Sequence, residues 1–210
     1  MTRVVHYFDY KSPYAYLAQA ASHALAATPG VALEWIPYTL QIPKYLGDAR
    51  LDGQGRDTVG TRNDHQWRRV RYAYMDCRRE ANRRGLTIRG PRRIFDSSIA
   101  HIAFLYVRGQ EGWPRFHDAV FERFWRRELD LEDVTALAEL IAACGLDAAA
   151  LPAYLAGPGR EAHDRLQREA EAAGVFGVPS WRVGDELYWG LERLPRVCEQ
   201  LGVAVPDVAR

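Results

Sequence analysis

The chain has 210 residues, 48% of them hydrophobic, which is enough for one domain with a sizeable core. Its 28 basic and 27 acidic residues give a net charge of +1, so the overall charge favours neither nucleic acid nor an anionic membrane surface as a partner. Since no apolar run reaches the length of a membrane span and the N-terminus lacks a signal peptide's long apolar stretch, we expect a cytoplasmic protein without a membrane partner.

The first predicted elements are a short strand at Val4–Phe8, a sharp turn, and a helix from Pro13 to about Ala27. Proline suits the first helical position, because its missing N–H would have no partner there. Ser12 therefore precedes the helix, where free backbone N–H groups and the positive end of the helix dipole stabilise an anion such as a thiolate. A Ser-Pro pair is also ordinary helix capping, so this motif alone leaves both interpretations open.

The tetrapeptide at residues 12–15 is Ser-Pro-Tyr-Ala. In a thioredoxin-like protein the same turn holds a Cys-x-x-Cys redox pair. Such a scaffold would bind a thiolate that it does not itself supply, which points to a borrowed thiol, with glutathione as the leading candidate. Because both redox cysteines are missing from this turn, a disulfide oxidoreductase is the least favoured function.

A strand at Val31–Ile36 follows, and the segment from about Leu40 to Leu155 is predicted to be almost entirely helical, with apolar residues at three- and four-residue steps. Within it, the glycine-rich residues 52–56 are predicted to form a loop. Its stretch between residues 68 and 84 is rich in arginine. Most of these arginines fall opposite the apolar stripe, which favours a solvated helix face over a nucleic-acid site. Alternatively, some arginines point into a cleft between the helical and sheet parts, where they would meet an anionic substrate.

The C-terminal third is predicted to complete the sheet. Glycines end its helices, and a Gly-Asp turn between aromatic and branched residues indicates a hairpin. The predicted elements are helices at Leu131–Cys144 and Arg160–Ala173, strands at Trp181–Val183 and Leu187–Trp189, and a helix at about Glu192–Leu201. If the Val178–Pro179 bond before the hairpin is cis, the backbone groups of Val178 point outward and can pair with an extended peptide ligand.

The cysteines and histidines show no pattern of a disulfide or metal site. Cys77, Cys144 and Cys198 are odd in number and widely spaced, as in proteins of a reducing cytoplasm. The six histidines lack metal-ligand spacing, so no metal is expected, and His101 on an apolar stripe is interpreted as a buried core residue. The sequence contains neither a glycine-rich phosphate loop nor a Gly-x-Ser-x-Gly motif, which argues against nucleotide enzymes and esterases.

Three segments together resemble one family: Tyr-Phe-Asp-Tyr-Lys-Ser-Pro-Tyr-Ala-Tyr-Leu-Ala at 7–18, Val-Phe-Gly-Val-Pro at 175–179, and Gly-Asp-Glu with Trp-Gly-Leu-Glu-Arg-Leu at 184–194. In order and spacing they are similar to 2-hydroxychromene-2-carboxylate isomerases and kappa-class glutathione transferases, which are thioredoxin-fold relatives of periplasmic disulfide oxidoreductases. The resemblance implies an α/β fold: a thioredoxin-like sheet domain of residues 1–39 and 156–210 with a large all-helical insertion at 40–155. It also implies a homodimer, glutathione as cofactor and a small-molecule substrate.

The resemblance also implies a set of glutathione-binding residues. Ser12 would be the catalytic residue that orients the thiolate, and Val178 beside Pro179 would pair with the glutathione backbone. Leu191 and Glu192 would meet the γ-glutamyl end, although Glu192 stands where the family usually has aspartate. Asn63 aligns more loosely with a glutathione-binding position and can instead cap the next helix.

The implied substrate contacts are less complete. Lys44 matches a family position that grips an aromatic carboxylate, although a solvated lysine is the alternative. Phe95 stands where the isomerases carry a substrate-binding tyrosine and has no hydroxyl, which puts the identity of the substrate in doubt. Trp67, Tyr72 and Phe95 are candidate apolar walls for an aromatic substrate.

Three functions remain open. The favoured one is a glutathione-dependent cis-trans isomerase of an aromatic-derived carboxylate, in which the thiol adds to an enone, the former double bond rotates, and the thiol leaves. The second is a kappa-like glutathione transferase or peroxidase, in which the thiol stays on a small electrophile. The third is a non-catalytic thioredoxin-like binding protein without affinity for glutathione.

Overall fold

A mixed four-stranded sheet organises the fold. The computed structural model describes residues 2–207. β1 (Thr2–Phe8) pairs in parallel with β2 (Val31–Pro37) and antiparallel with β3 (Ser180–Val183), which pairs antiparallel with β4 (Glu186–Trp189). The strand order is therefore β2-β1-β3-β4. The predicted combination of a thioredoxin-like sheet with a helical insertion is confirmed.

Helices account for most of the remaining structure between residues 2 and 207. One follows β1, seven lie between β2 and β3, and one follows the C-terminal hairpin. Their bounds are α1 (Pro13–Ala26), α2 (Ile42–Leu46), α3 (Asp64–Arg83), α4 (Ser98–Val107), α5 (Trp113–Trp125), α6 (Val134–Ala143), α7 (Leu151–Ala156), α8 (Pro158–Ala172) and α9 (Leu194–Leu201). Within this part of the chain, no helix combines the length and apolarity that crossing a membrane requires.

β1 is buried on both faces because helices cover the sheet on each side. Val4 packs into a core formed with α1 and α9. Val5 and Tyr7 point to the opposite face, where they pack in a second core that includes Ala170 of α8. The central strand is therefore buried from Val4 to Phe8, as expected of a strand sandwiched between helical layers.

The helical insertion packs against the C-terminal end of β1. The ring centroid of Phe8 lies 5.0 Å from that of Phe104 on α4 and 4.6 Å from that of His117 on α5. One apolar core thus extends from the sheet into the insertion. The turn that follows Phe8 consequently lies at the boundary between the two parts, which is where Ser12 is found.

Two segments of the predicted helical region form loops instead. The predicted loop at 52–56 is present but extends over residues 47–63, and a second loop covers residues 84–97, so the expectation of an almost entirely helical segment is wrong there. In the first loop, Asp57 accepts hydrogen bonds from three backbone N–H groups of the same loop. Such local bonds from an aspartate offer the backbone an alternative to the helix, and they explain the error.

Two helix starts also differ from the prediction. The helix expected from Leu131 begins only at Val134, because Asp133 caps it by accepting from the N–H groups of Thr135 and Ala136. The last helix, expected from Glu192, is preceded by a 3-10 turn at Leu191–Arg193. The other predicted elements begin and end within three residues of the observed ones.

Three histidines are buried and uncharged near neutral pH. Burial lowers the pKa of His6 to about 3 and also lowers the pKa values of His101 and His117. His6 is satisfied by the carbonyl of Ser180 and the hydroxyl of Ser22, each at 3.2 Å. The interpretation of His101 as a core histidine is confirmed, because its side chain is fully buried.

These histidines predict a loss of stability on mild acidification. The pKa of His6 is about 6.5 when unfolded and about 3 when folded, so below 6.5 the unfolded chain binds a proton that the folded chain does not. Stability therefore falls as the pH falls through this window, by about 1.4 kcal/mol per pH unit for His6. His6→Asn should lower the free energy of unfolding at neutral pH, yet make its decrease with pH shallower by that amount.

The measurement is urea denaturation of both proteins at several pH values within the window. His65→Asn, at an exposed position on α3, is the control and should leave the slope unchanged. Parallel curves for the wild type and His6→Asn would contradict the assignment of His6 as a buried neutral group.

Candidate active site

Ser12 caps the N-terminus of α1. Its Oγ accepts a hydrogen bond from the N–H of Ala15 at 3.2 Å, and its backbone is extended, as expected of a capping residue. The hydroxyl proton is directed to the carbonyl oxygen of Val178 at 3.4 Å, which is a long and weak hydrogen bond. The Ser12 hydroxyl can therefore rotate toward a stronger acceptor, such as a thiolate, and would give up only this weak hydrogen bond.

Residues 177–179 immediately precede β3, the neighbour of β1, and lie next to Ser12 at the same end of the sheet. The Val178–Pro179 peptide bond is cis, and both residues are buried. The Pro179 carbonyl accepts from the N–H of Gly190 at 2.9 Å, which fixes the segment to the end of β4. The two motifs that the sequence singled out, 166 residues apart in the chain, thus meet at one point.

A cavity of about 1240 Å³ opens beside Ser12 and Val178. Its walls come from the turn after β1, from α2 and α3, from the loop at residues 90–95, and from residues 176–178. The wall is largely apolar, and Trp67, Tyr74 and Phe95 contribute aromatic rings. This volume exceeds the roughly 300–1,000 Å³ of typical small-molecule sites, so the cavity can hold two ligands or one long ligand.

Lys11, next to Ser12, is a buried cation in this wall. Its Nζ donates to Ser97 Oγ at 3.0 Å and lies 3.4 Å from Asp9 Oδ2, while Asp9 Oδ1 lies 3.3 Å from Nε2 of His101. Burial raises the pKa of Asp9, but Lys11 and His101 outweigh burial and hold it below its usual value. The carboxylate is thus ionised at neutral pH, and the pair is desolvated and mutually dependent.

The cavity wall is strongly cationic. Among residues 2–207, nine basic side chains and no acidic side chain line it, although the whole chain carries a net charge of only +1. Besides Lys11, the basic residues are Arg62, Arg69, Arg71, Arg78, Arg79, Arg92, Arg93 and Arg127. Four arginines of α3 fit both interpretations, because they are exposed to solvent and also line this open cavity: Arg69, Arg71, Arg78 and Arg79.

The predicted apolar walls are found in part. Trp67 and Phe95 line the cavity. The ring of Phe95 packs edge-on against Phe124, with Arg93 stacked 3.9 Å from its centroid. Tyr72 does not line the cavity, because it points outward from α3 and is 59% exposed.

Lys44 and Asn63 are not brought to the cavity. On the short helix α2, Ile42, Tyr45 and Leu46 line it, and Lys44 is exposed on the other side. The apolar spacing at 42, 45 and 46 is a helical face, so it was a sequence signal that Lys44 points away. Asn63 is the N-cap of α3 and forms a capping box with Gln66, as in its alternative interpretation.

Leu191 and Glu192 lie at the edge of the site rather than in the cavity wall. Both follow Trp189, which does line the cavity. Leu191 packs against the core under α9, and the exposed Glu192 folds its carboxylate back against Gly190. Within residues 2–207, no three or more His, Cys, Asp or Glu side chains are grouped as a metal site.

Lys11 and Asp9 are site residues that were not predicted from the sequence. They lie inside the motif that carries the family resemblance, one and three positions before Ser12. Opposite charges two residues apart in an otherwise buried strand-to-turn segment are unusual, because buried charges need partners. Two charged residues within an apolar segment were therefore the sequence signal that Asp9 and Lys11 pair inside the protein.

A model of the DSBA-like thioredoxin domain matches residues 3–202. The chain belongs to the DSBA-like thioredoxin family. A 2-hydroxychromene-2-carboxylate isomerase of Sphingobium xenophagum is 31% identical over 196 residues, covering 92% of this chain and 95% of the relative. The predicted resemblance to these isomerases is confirmed.

Solved structures agree with this placement in the DSBA-like family. A 2-hydroxychromene-2-carboxylate isomerase superimposes with a TM-score of 0.72 at 25% identity, covering 95% of this chain and 94% of that chain. A cytosolic disulfide reductase, DsbM of Pseudomonas aeruginosa, was solved with GSH and superimposes with a TM-score of 0.60 at 17% identity, covering 89% and 88%. The second likeness concerns the fold alone.

The buried ion pair predicts a double-mutant signature. Lys11→Met should lower the free energy of unfolding by about 3 kcal/mol, because it leaves the Asp9 carboxylate buried without its cation. Lys11→Met combined with Asp9→Asn should recover much of that loss, since no charge then remains unpaired. Urea denaturation at neutral pH measures all three variants.

Lys44→Met is the matched control, because Lys44 is an exposed lysine without a carboxylate partner among residues 2–207. It should change stability by less than about 0.5 kcal/mol. If the losses from Lys11→Met and Asp9→Asn were simply additive, the pair would not be coupled.

Proposed function

We propose that the protein is a glutathione-dependent isomerase acting on an aromatic-derived carboxylate of the 2-hydroxychromene-2-carboxylate type. Relatives with this name support isomerase activity for the chain. The observation that carries the dependence on glutathione is the position of Ser12, a serine at a helix N-terminus facing Val178 at the mouth of a large cavity.

The residues around Ser12 fit a thiolate. Pro13 has no N–H, and the N–H groups of Ala15 and Tyr16 are taken by the Oγ and the carbonyl of Ser12. The Tyr14 N–H, the redirected Ser12 hydroxyl and the positive end of the helix dipole then remain to receive an anion.

These groups are strong enough to matter. A free thiol has a pKa of about 8.5, and each unit of lowering needs about 1.4 kcal/mol of preference for the thiolate. One charge-assisted hydrogen bond together with the helix terminus supplies enough stabilisation of the thiolate to lower the thiol pKa by about one to two units. When bound, glutathione would supply a thiolate that adds reversibly to an enone so that a former double bond can rotate.

The protein's own part is to orient and to stabilise charge. Ser12 serves as a hydrogen-bond donor rather than a nucleophile, because no histidine or lysine bonds to its Oγ. Trp67 and Phe95 provide flat apolar wall for an aromatic ring. Lys44 does not line the cavity and Lys11 already has Asp9 as its counterion, so the arginines of the wall are the cations available to a substrate carboxylate.

Calorimetric titration with glutathione tests the proposal, followed by an assay with 2-hydroxychromene-2-carboxylate. We expect saturable glutathione binding, and isomerisation that leaves the titre of free thiol unchanged. A falling thiol titre would instead indicate glutathione transfer to the substrate. Absence of glutathione binding would overturn the proposal.

Ser12→Ala should lower kcat/KM by about ten- to a thousandfold, because it removes one donor to a developing or resting anion in a desolvated site. The fold should persist, as circular dichroism can check. Ser22→Ala is the control on the same helix: it removes a hydroxyl that contacts His6 and the Ala18 carbonyl outside the cavity wall, and its fold is checked in the same way. Equal activity of both variants would place the thiol elsewhere.

Ser12→Cys tests proximity without any assay of activity. In the presence of glutathione disulfide, the introduced thiolate should attack one sulfur, form a mixed disulfide and release one glutathione. Mass spectrometry should find one adduct per chain that the wild type lacks. The native thiols are poor competitors, since burial raises the pKa of Cys77 to about 12 and also raises those of Cys144 and Cys198. No adduct would count against glutathione binding at this point.

A further inference from the structure

Three arginines line the cavity together with Tyr74. The guanidinium carbon of Arg78 lies 5.6 Å from the ring centroid. Burial raises the pKa of Tyr74 to about 12, and Arg62, Arg78 and Arg127 act to lower it. Arg127 reaches the ring through Gly90, whose carbonyl accepts from Arg127 and whose backbone packs on Tyr74. We call these three residues the Tyr74 arginine cluster.

Backbone carbonyls, not carboxylates, hold the cluster in place. Nε of Arg62 donates to the carbonyl of Gly47 at 3.3 Å, and its guanidinium stacks 4.9 Å from the ring centroid of Trp67. Nε of Arg78 donates to the Ile88 carbonyl at 3.3 Å, and Nε of Arg127 donates to Gly90 at 2.9 Å. A neutral carbonyl orients a guanidinium without cancelling its charge.

The cluster therefore keeps its positive charge. Among residues 2–207, no carboxylate lies within 4.0 Å of Arg62, Arg78 or Arg127, although Asp48 and Asp57 act on Arg62 at longer range. Elsewhere the same chain pairs its arginines readily, as in Arg126 with Glu122. Because no carboxylate of the described chain pairs with these cations, their charge remains available to a bound anion.

The backbone conformations of Arg127 and Gly90 place the Arg127 side chain beside Tyr74. Arg127 is the one residue other than glycine between positions 2 and 207 with a left-handed backbone, with φ of 63°. Gly90, which accepts from Arg127, lies directly on Tyr74, and a Cβ there would come within 3.0 Å of the ring. The left-handed Arg127 ends α5 in a Schellman motif, since the N–H of Glu128 donates to the Arg123 carbonyl, and this termination directs the Arg127 side chain to Gly90.

We propose that the Tyr74 arginine cluster is a subsite for a dianionic oxyanion of the phosphate type, carried by a ligand whose aromatic part lies against Trp67. Several guanidinium forks suit a tetrahedral oxyanion with three free oxygens better than a single carboxylate, which one fork satisfies. The inference rests on the proposed function only in taking this ligand to be the substrate. It extends the substrate class from monocarboxylates to compounds with a second, more highly charged group.

The test compares two probes with the same ring, 1-naphthyl phosphate and 1-naphthoate, by calorimetric titration near pH 8 and low salt, where the phosphate is a dianion. The wild type should bind the phosphate at least about tenfold more tightly. Arg62→Gln and Arg78→Gln should each weaken phosphate binding about tenfold, the loss of one charge-assisted contact, and change naphthoate binding much less.

Arg68→Gln is the matched control, because Arg68 is exposed on α3 and does not line the cavity. It should change neither affinity by more than about twofold. Arg62→Lys keeps the charge but loses the fork, so it should bind the phosphate with intermediate affinity. Thermal denaturation of each variant confirms that it is folded.

Equal affinities of the wild type for the two probes would overturn the subsite, as would glutamine variants that behave like Arg68→Gln. Glutathione titration of the same proteins separates this outcome from failure of the proposed function. Phosphate binding without glutathione binding would remove the proposed function and leave the subsite standing. Glutathione binding without a preference for the phosphate would remove the subsite and leave the proposed function standing.

Discussion

The buried carboxylate of Asp9 is the interaction on which the site depends most. It accepts the backbone N–H of Lys11 at 3.1 Å and that of Leu40 at 2.8 Å, and it contacts the side chains of Lys11 and His101. One charged group therefore joins the turn after β1, the entry to the insertion and helix α4. Because the Ser12 N–H also donates to the Asp9 carbonyl, the capping serine is fixed by the same residue.

The cavity follows from how that junction is built. The sheet supplies Ser12 and Val178 from one side, and the insertion supplies an arginine-rich wall from the other. With a net charge of +1, the chain has enough carboxylates to neutralise its arginines, yet the cavity wall contains none of them among residues 2–207. The positive charge is thus a property of the cavity and not of the whole molecule, which suits steering of acidic ligands rather than general binding of polyanions.

Sequence patterns predicted the parts that depend on local chemistry. The strand, the Ser12 cap and the C-terminal hairpin each have a turn or capping signal within a few residues, and the structure contains all of them. The full extent of the loop at 47–63, of which only residues 52–56 were predicted, and the loop at 84–97 were not recognised, because helical periodicity outweighed the aspartate and glycine signals. The direction of Lys44 follows from the apolar face of α2, whereas the burial of Lys11 depends on packing against other elements and is poorly predicted by spacing along the chain.

The two ends of the cavity differ in what the sequence can reveal about them. The thiolate end consists largely of backbone groups held by a capping serine and a Val-Pro turn, and such motifs keep a recognisable spacing. The anion end consists of side chains from α2–α3, the 90–95 loop and the turn after α5, whose meeting depends on tertiary structure. Arg127 illustrates the difference, since nothing in its neighbours predicts that it reaches the carbonyl of Gly90, 37 residues earlier. A chain can therefore share the motifs of a family and still differ from its relatives in substrate, wherever the side chains that contact the substrate lie outside those motifs.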